Sequence, residues 1–402
     1  MDLFSSESKM QEWLSDALGN SCGLSDLITN LDYVKTFSPS SLADRKIIAS
    51  YETCTKSLGI NEVISKNENI SVNSGDVLKP DFILYAPETQ SIVIVELKNL
   101  RGPTRQAGTE LAAYSCEVKS AVPFISDGDI VNVIISTEWP TLLRHYIFHQ
   151  IFWQGKNVIC LEPHQESSEI KLKLLEVAKL EQNDIPIKIS DRYLGGCQIS
   201  LEDYASDNTQ QDKYLEQMKA ALHAISVWGY GQNGHGFAFL WKDDWKCSVA
   251  TYSITVIHFA PFQSIERFLH LENAEPTGFV KSLMELACEH NPNGAGNALN
   301  ELIDCCRVFL VDICRPTPEG FTSWNNLRKV MTNQTELIAF EAWGMFGEVF
   351  TEKLAREYQN GNHNCLRTSP DLGLTAIDEL IDNDYTFIDL VNYFYDGEHE
   401  ME

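Results

Sequence analysis

The segment KPDFILYAPETQSIVIVELKN, Lys79 to Asn99, reads as two strands joined by a tight turn. Phe82 to Ala86 is apolar and aromatic, Pro87-Glu88-Thr89-Gln90 is a turn signal, and Ser91 to Leu97 is β-branched and apolar. Three charges interrupt this buried pattern. Asp81 opens the first strand, and Glu96 and Lys98 lie near the end of the second. Side chains alternate faces along a strand, so Glu96 and Lys98 point the same way, and an antiparallel hairpin brings Asp81 beside them. Buried charges are costly unless they pair or hold a metal. Two carboxylates and an ammonium converging on a sheet therefore suggest a divalent cation and an activated water. The competing reading makes Asp81 a strand-entry residue after Pro80 and Glu96–Lys98 an ordinary exposed ion pair. Ile92 to Leu97 has no other polar residue. That marks a central strand, in which such charges need compensation.

Elements consistent with an α/β core surround the hairpin. Ser38-Pro39-Ser40-Ser41 starts a helix running to about Leu58, with Ile47, Tyr51, Cys54 and Leu58 on its apolar stripe and Glu52 at the stripe's edge. Asn61 to Ser65 and Ile70 to Val72 give the first strand. After the hairpin, Gly102-Pro103 stops the chain and a helix with Leu111, Tyr114, Cys116 and Val118 follows. Ile130 to Ser136 is a continuous apolar run, as in a strand covered on both faces. Thr141 to Phe152 reads as a helix, Lys156 to Leu161 as a strand, and Ile170 to Val177 as an edge strand.

The pair Pro80-Asp81 followed by Glu96-Leu97-Lys98 resembles the PD-(D/E)xK, restriction-endonuclease-like nuclease superfamily. That resemblance implies a mixed sheet flanked by helices. It implies Asp81, Glu96 and the Leu97 carbonyl as ligands of Mg²⁺ or Mn²⁺, and Lys98 as the residue that positions the attacking water. In the family, the first core helix often adds a carboxylate, here Glu52. A Gln or Tyr on the helix after the hairpin often stands near the lysine, here Gln106 and Tyr114. The family's QxxxY pattern is not kept, because position 110 is Glu. Arg101 and Arg105 add positive charge beside this face, where a helix N-terminus would also favour a phosphate. The expectation is a metal-dependent nuclease cleaving DNA, in the manner of the family's restriction and phage-defence effectors. The alternative is a catalytically inactive scaffold or binding subunit of the same fold.

The whole chain has 402 residues, which suggests more than one domain. We expect an N-terminal helical arm at 1–37, a nuclease-like domain at 38–185, and a mainly helical α+β domain with an acidic tail at 191–402. No run of about 18 apolar residues exists, so no membrane span is expected. Eleven scattered cysteines without a CxxC pair suggest reduced core thiols in a cytoplasmic protein rather than a zinc site. Net charge is −26, the wrong sign for broad contact with nucleic acid. Residues 1–190 carry 17 Lys/Arg against 25 Asp/Glu, a net of −8, and residues 191–402 carry 14 against 32, a net of −18. The chain therefore needs a local basic patch, a protein partner or a second copy to hold DNA.

Other motifs weigh less. Gly229 to Gly236 contains a literal GxGxxG, but a helix precedes it and strands follow, so a structural turn is the better reading. His145 and His149 share the spacing of HExxH, yet Tyr146 stands where the general base belongs, so histidines at the edge of the core are the better reading. In the second half, Gln211–Trp228 reads as a helix, Phe237–Trp241 and Cys247–Phe259 as strands, and Thr277–Glu289, Gly296–Ile313, Trp324–Tyr358 and Ile377–Tyr395 as helices.

Overall fold

Alternating β-branched and aromatic residues in the hairpin form the ladder they imply. In the computed structural model, β2 (Phe82–Ala86) and β3 (Ser91–Lys98) pair antiparallel, with Phe82 opposite Val95 and Ala86 opposite Ser91. Gln90 closes the turn in the left-handed region, with φ of 54°. The structure describes residues 3–402 apart from 74, 100–104, 124, 181–188, 205–210, 244–249, 260–277, 291–293, 321–322 and 383–402. The chain divides into two compact units, Met1–Ile187 and Lys188–Glu402.

The first unit is a mixed α/β layer. Its six strands lie in the order β1-β2-β3-β4-β5-β6, with β1 at Glu62–Lys66, β4 at Ile130–Ser136, β5 at Asn157–Glu166 and β6 at Glu169–Leu174. β3, β4 and β5 run parallel, while β1, β2 and β6 join antiparallel. Parallel strands need crossover elements. Here α4 (Arg105–Ala121) links β3 to β4, and α5 (Thr141–Phe148) with a π-helical turn (His149–Trp153) links β4 to β5. Ser91–Lys98 and Ile130–Ser136 are buried almost throughout, because helices cover both faces of this sheet.

The N-terminal residues do not form a separate arm. In α1 (Glu7–Gly19), Met10, Leu14 and Leu18 are buried in the same core as Val93 and Leu97. The helical arm expected at 1–37 is not continuous: a 3₁₀ turn at Leu24–Leu27 and a short α2 (Tyr33–Thr36) take the place of a helix there. Between them, Ile28 bridges Leu172 and the Thr29 N–H donates to the Leu172 carbonyl at 2.9 Å. Pairing with the sheet edge outweighs local helical spacing here. α3 (Leu42–Lys56) starts at Ser41 rather than Ser38. Ser41 and Asp44 form a reciprocal capping box that satisfies the first backbone donors. Ile70–Val72 joins no ladder, and after β6 the chain turns into the short α6 (Val177–Leu180).

The second unit carries more strand than its sequence suggests. Its sheet is antiparallel, with strands in the order Arg315–Glu319, Leu194–Glu202, Ala250–Phe259, Gly236–Asp243 and Thr335–Trp343. After the two-residue β7 (Ile189–Ser190) come β8 (Leu194–Glu202), α7 (Leu215–Gly231), β9 (Gly236–Asp243) and β10 (Ala250–Phe259). α8 (Gly278–His290), α9 (Gly296–Leu310) and β11 (Arg315–Glu319) follow. The single helix expected over Trp324–Tyr358 is two helices, α10 (Trp324–Gln334) and α11 (Met345–Gln359), split by β12 (Thr335–Trp343). Gly344, at φ 60°, makes the turn out of that strand. β11 carries Pro316 and Pro318 at the sheet edge, where a missing N–H is tolerated. The helix expected over Ile377–Tyr395 ends at Leu380, and its part beyond Asp382 lies outside the described residues. α12 (Pro370–Leu380) packs Gly373 against the Phe340 ring, and β13 (Ile381–Asp382) pairs with β7.

Three of the four glycines of 229–236 make room for neighbouring rings, while a Cβ on Gly231 would meet nothing. A Cβ on Gly229 or Gly236 would strike the buried Trp343, and one on Gly234 would strike His258. His145 and His149 are exposed rather than at the edge of the core. Nine described cysteines are free, five of them buried. No described helix is long and apolar enough to cross a membrane.

Candidate functional site

The site forms where β2 ends and β3 continues. Beyond Phe82, β2 no longer covers β3, and the Asp81 carboxylate takes over. Its Oδ2 accepts the Leu97 N–H at 2.7 Å. A strand residue's N–H and C=O point to the same side, so the Leu97 carbonyl faces this open edge as well. Glu96 and Lys98 share a face of β3, as the two-residue period requires. Lys98 Nζ donates to Glu96 Oε1 at 2.5 Å and to Glu110 Oε2 on α4 at 2.9 Å. One turn further along α4, the Tyr114 hydroxyl donates to the Lys79 carbonyl at 3.1 Å. The ensemble sits at the carboxyl end of a parallel strand, where α/β sheets usually place ligands.

The Glu96–Lys98 pair is not a surface ion pair. Glu96 is only 3% exposed and Lys98 9%. Glu96 Oε2 is buried and has no hydrogen-bond partner. Burial pushes the Glu96 carboxyl up to about 9, with Lys98 opposing and Asp81 adding to the rise. Burial likewise raises Asp81 to about 6, against the pull of the Leu97 N–H, with Glu7 adding to the rise. Lys98 loses solvation too, but Glu96 and Glu110 outweigh that loss and hold the ammonium charged. One ammonium thus serves several carboxylates. The proton retained in the pocket belongs to the Asp81–Glu96 couple rather than to either group alone. Burial, reinforced by Glu96 and Glu110, also keeps the Tyr114 hydroxyl protonated.

Asp81, Glu96, Leu97 and Lys98 therefore meet in one place. Glu52 does not join them. It is exposed on α3, which packs over β5, in a groove with Leu31, Asp32, Val34, Lys35, Thr55 and Lys56. The helix that reaches the site is α1. Gln11 Nε2 donates to Asp81 Oδ1 at 3.1 Å, and the Glu7 carboxylate acts electrostatically on both Asp81 and Lys98. Sequence reasoning missed both residues. The one available signal was the polar face of a helix whose other face, Met10, Leu14 and Leu18, was plainly apolar. Gln106 and Arg105 lie in the first turn of α4, but their side chains, and Arg101 altogether, lie outside the described residues.

The donor set has a definite chemical character. Among the described residues, no group of three or more His, Cys, Asp or Glu side chains is arranged to hold a metal. What this edge offers is two carboxylates and a backbone carbonyl. The unpartnered, buried Glu96 oxygen lacks a positive partner of its own. Hard oxygen donors in that number fit a small divalent cation that keeps part of its water shell, and not a fully protein-ligated zinc. No family model, curated protein or solved structure matches the chain.

Proposed function

We propose that the first unit is a metal-dependent nuclease hydrolysing phosphodiester bonds in DNA, of the PD-(D/E)xK kind. The observation that supports this reading is the buried Glu96–Lys98 pair meeting the half-buried Asp81 at an uncovered strand end, with one Glu96 oxygen unpartnered. In this reading Asp81, Glu96 and the Leu97 carbonyl hold Mg²⁺ or Mn²⁺. When bound, the cation lowers the pKa of water and offsets charge on the phosphate oxygens.

The chain's own groups do the remainder. The Leu97 N–H and Gln11 amide fix the Asp81 carboxylate. Glu110 draws Lys98 from one side while Glu96 holds it from the other, which localises the ammonium. Lys98 presents fixed positive charge and N–H donors where a nucleophilic water or a phosphate oxygen would sit, the arrangement that favours charge developing in the transition state. Tyr114, bonded to the Lys79 carbonyl, ties α4 to the strand entry that carries Asp81.

A second reading is favoured by the charge. A net of −26 opposes capture of DNA. An inactive nuclease-fold subunit, working with a protein partner, would keep the fold without cleaving. Incubation of supercoiled plasmid with the full chain and Mg²⁺ or Mn²⁺ separates the two. The nuclease reading expects nicking or linearisation that EDTA stops, and a loss of at least about 100-fold in Lys98→Ala and Glu96→Ala, the scale of removing a positioned acid–base group. Undiminished cleavage in both variants rules out this site. Mn²⁺ binding by calorimetry without any cleavage favours the subunit.

A further inference from the structure

The six-stranded sheet has two edges, and the chain treats them differently. β6 is closed off. Ile28 bridges Leu172, the Thr29 N–H bonds the Leu172 carbonyl, and Asn30 exchanges side-chain hydrogen bonds with the backbone of Leu174. β6 also carries Lys171 and Lys173, charges that discourage further pairing. At the opposite edge, β1 pairs only with β2 among the described residues. Among the described residues its outer side has no covering segment of that kind, and two of its residues are large and apolar. Val63 is 50% exposed and Ile64 57%.

An open strand edge accepts another strand, and the sequence of β1 states which one fits. Glu62-Val63-Ile64-Ser65-Lys66 is self-complementary when reversed. About a two-fold axis at Ile64, Glu62 of one copy faces Lys66 of the other, Val63 faces Ser65, and Ile64 faces itself. Both ends of the pairing become opposite-charge pairs and the centre becomes apolar, the cross-strand combinations that stabilise antiparallel sheets. We propose that β1 is a homodimer interface, at which a second copy of this chain adds antiparallel and continues the sheet. A bulge between Val63 and Ser65 interrupts the ladder to β2. Bulges bend a strand and limit pairing, so the contact is short and the dimer reversible rather than obligate.

The proposal does not rest on the nuclease reading, and cleavage assays leave it untouched. Sedimentation equilibrium of the full chain, from low to high micromolar concentration, tests it through charge variants. Glu62→Lys and Lys66→Glu each place like charges opposite each other twice in the homodimer. Each variant alone is expected to weaken the dimer constant by about tenfold. An equimolar mixture of the two variants restores both opposite-charge pairs, and recovers association close to the wild type. Glu62 and Lys66 are exposed, so circular dichroism and melting are expected to stay unchanged. Ile64→Lys, in the apolar centre, is expected to abolish association. Two results overturn the proposal. One is a wild-type chain that stays monomeric throughout. The other is a dimer equally strong in both charge variants and no stronger in their mixture, which would put the interface elsewhere.

Discussion

Glu96 concentrates the chemistry of the first unit in one side chain. Its carboxyl is raised from 4.5 to about 9 and that of Asp81 from 3.8 to about 6. A raised carboxyl pKa means that the fold favours the protonated form. The associated stability is complete below the unfolded values and disappears as pH climbs through about 6 and then about 9. Without divalent cations, the wild-type denaturation midpoint should therefore fall on raising the pH through that window. Glu96→Gln, which is neutral at every pH, should lose the upper part of the fall and be the more stable protein at its alkaline end. Urea titrations at a series of pH values measure this, and parallel curves for the two proteins would remove the argument. Cation binding should run the opposite way and strengthen with pH, because the carboxylates must shed their proton to coordinate. In the same titrations, Gln11→Ala removes a donor to Asp81 and should move the lower midpoint upward. The three charges at positions 81, 96 and 98 were legible from their place in an apolar strand. Glu7 and Gln11 were not, because nothing local marks which polar residues of an amphipathic helix face a distant strand.

At the level of elements, the strands with unbroken apolar or β-branched runs were the most legible. Ser91–Lys98 and Ile130–Ser136 stand where their composition puts them. Leu194–Glu202 opens with Gly195 and Gly196 and was hidden, although it is buried almost throughout. Thr335–Trp343 was absorbed into a long helix because its flanks are helical, and its strand state is fixed by eight residue pairs against Gly236–Asp243, with one irregularity between Leu337 and Ala339. Helical periodicity on both sides cannot reveal such pairing, which is a tertiary effect. The glycine run before β9 was read correctly as structural. Gly229→Ala offers a sharp check. The added methyl would lie 2.4 Å from Trp343 Nε1, inside a packed core. Overpacking of this kind costs about 1–3 kcal/mol. Thermal unfolding should show the loss in the second unit, with Mn²⁺ binding to the first unit preserved. An unchanged melting profile would contradict the packing described around Trp343.

For the molecule as a whole, net charge governs how any nucleic acid could arrive. Most DNA-binding proteins lose affinity steadily as salt rises, through release of counterions. A chain at −26 begins from net repulsion, which salt screens over a Debye length of about 10 Å at 0.1 M. Cleavage of plasmid at fixed Mg²⁺ is therefore expected to rise from very low to moderate ionic strength before any decline. A monotonic fall from the lowest salt would point instead to a dominant local basic surface. The charge excess was legible from composition alone, and so was a mixed α/β first unit. In the second unit only the hairpin of Gly236–Asp243 and Ala250–Phe259 was legible, since Leu194–Glu202, Arg315–Glu319 and Thr335–Trp343 pair with partners far along the chain.

The closed edge of the first sheet also bears on how the unit assembles in time. Asn30 meets Leu174 across 144 residues, and Gln11 meets Asp81 across 70. The stretch synthesised first is thus secured by strands that emerge last or much later. Closing such long loops costs entropy before any contact compensates, which slows folding. Until that closure β6 stands open, and a nascent or refolding chain is most prone to aggregate in this interval. Slow injection and low concentration should favour recovery of the native chain on refolding, and an N-terminal fusion that impedes docking of residues 28–30 should reduce it.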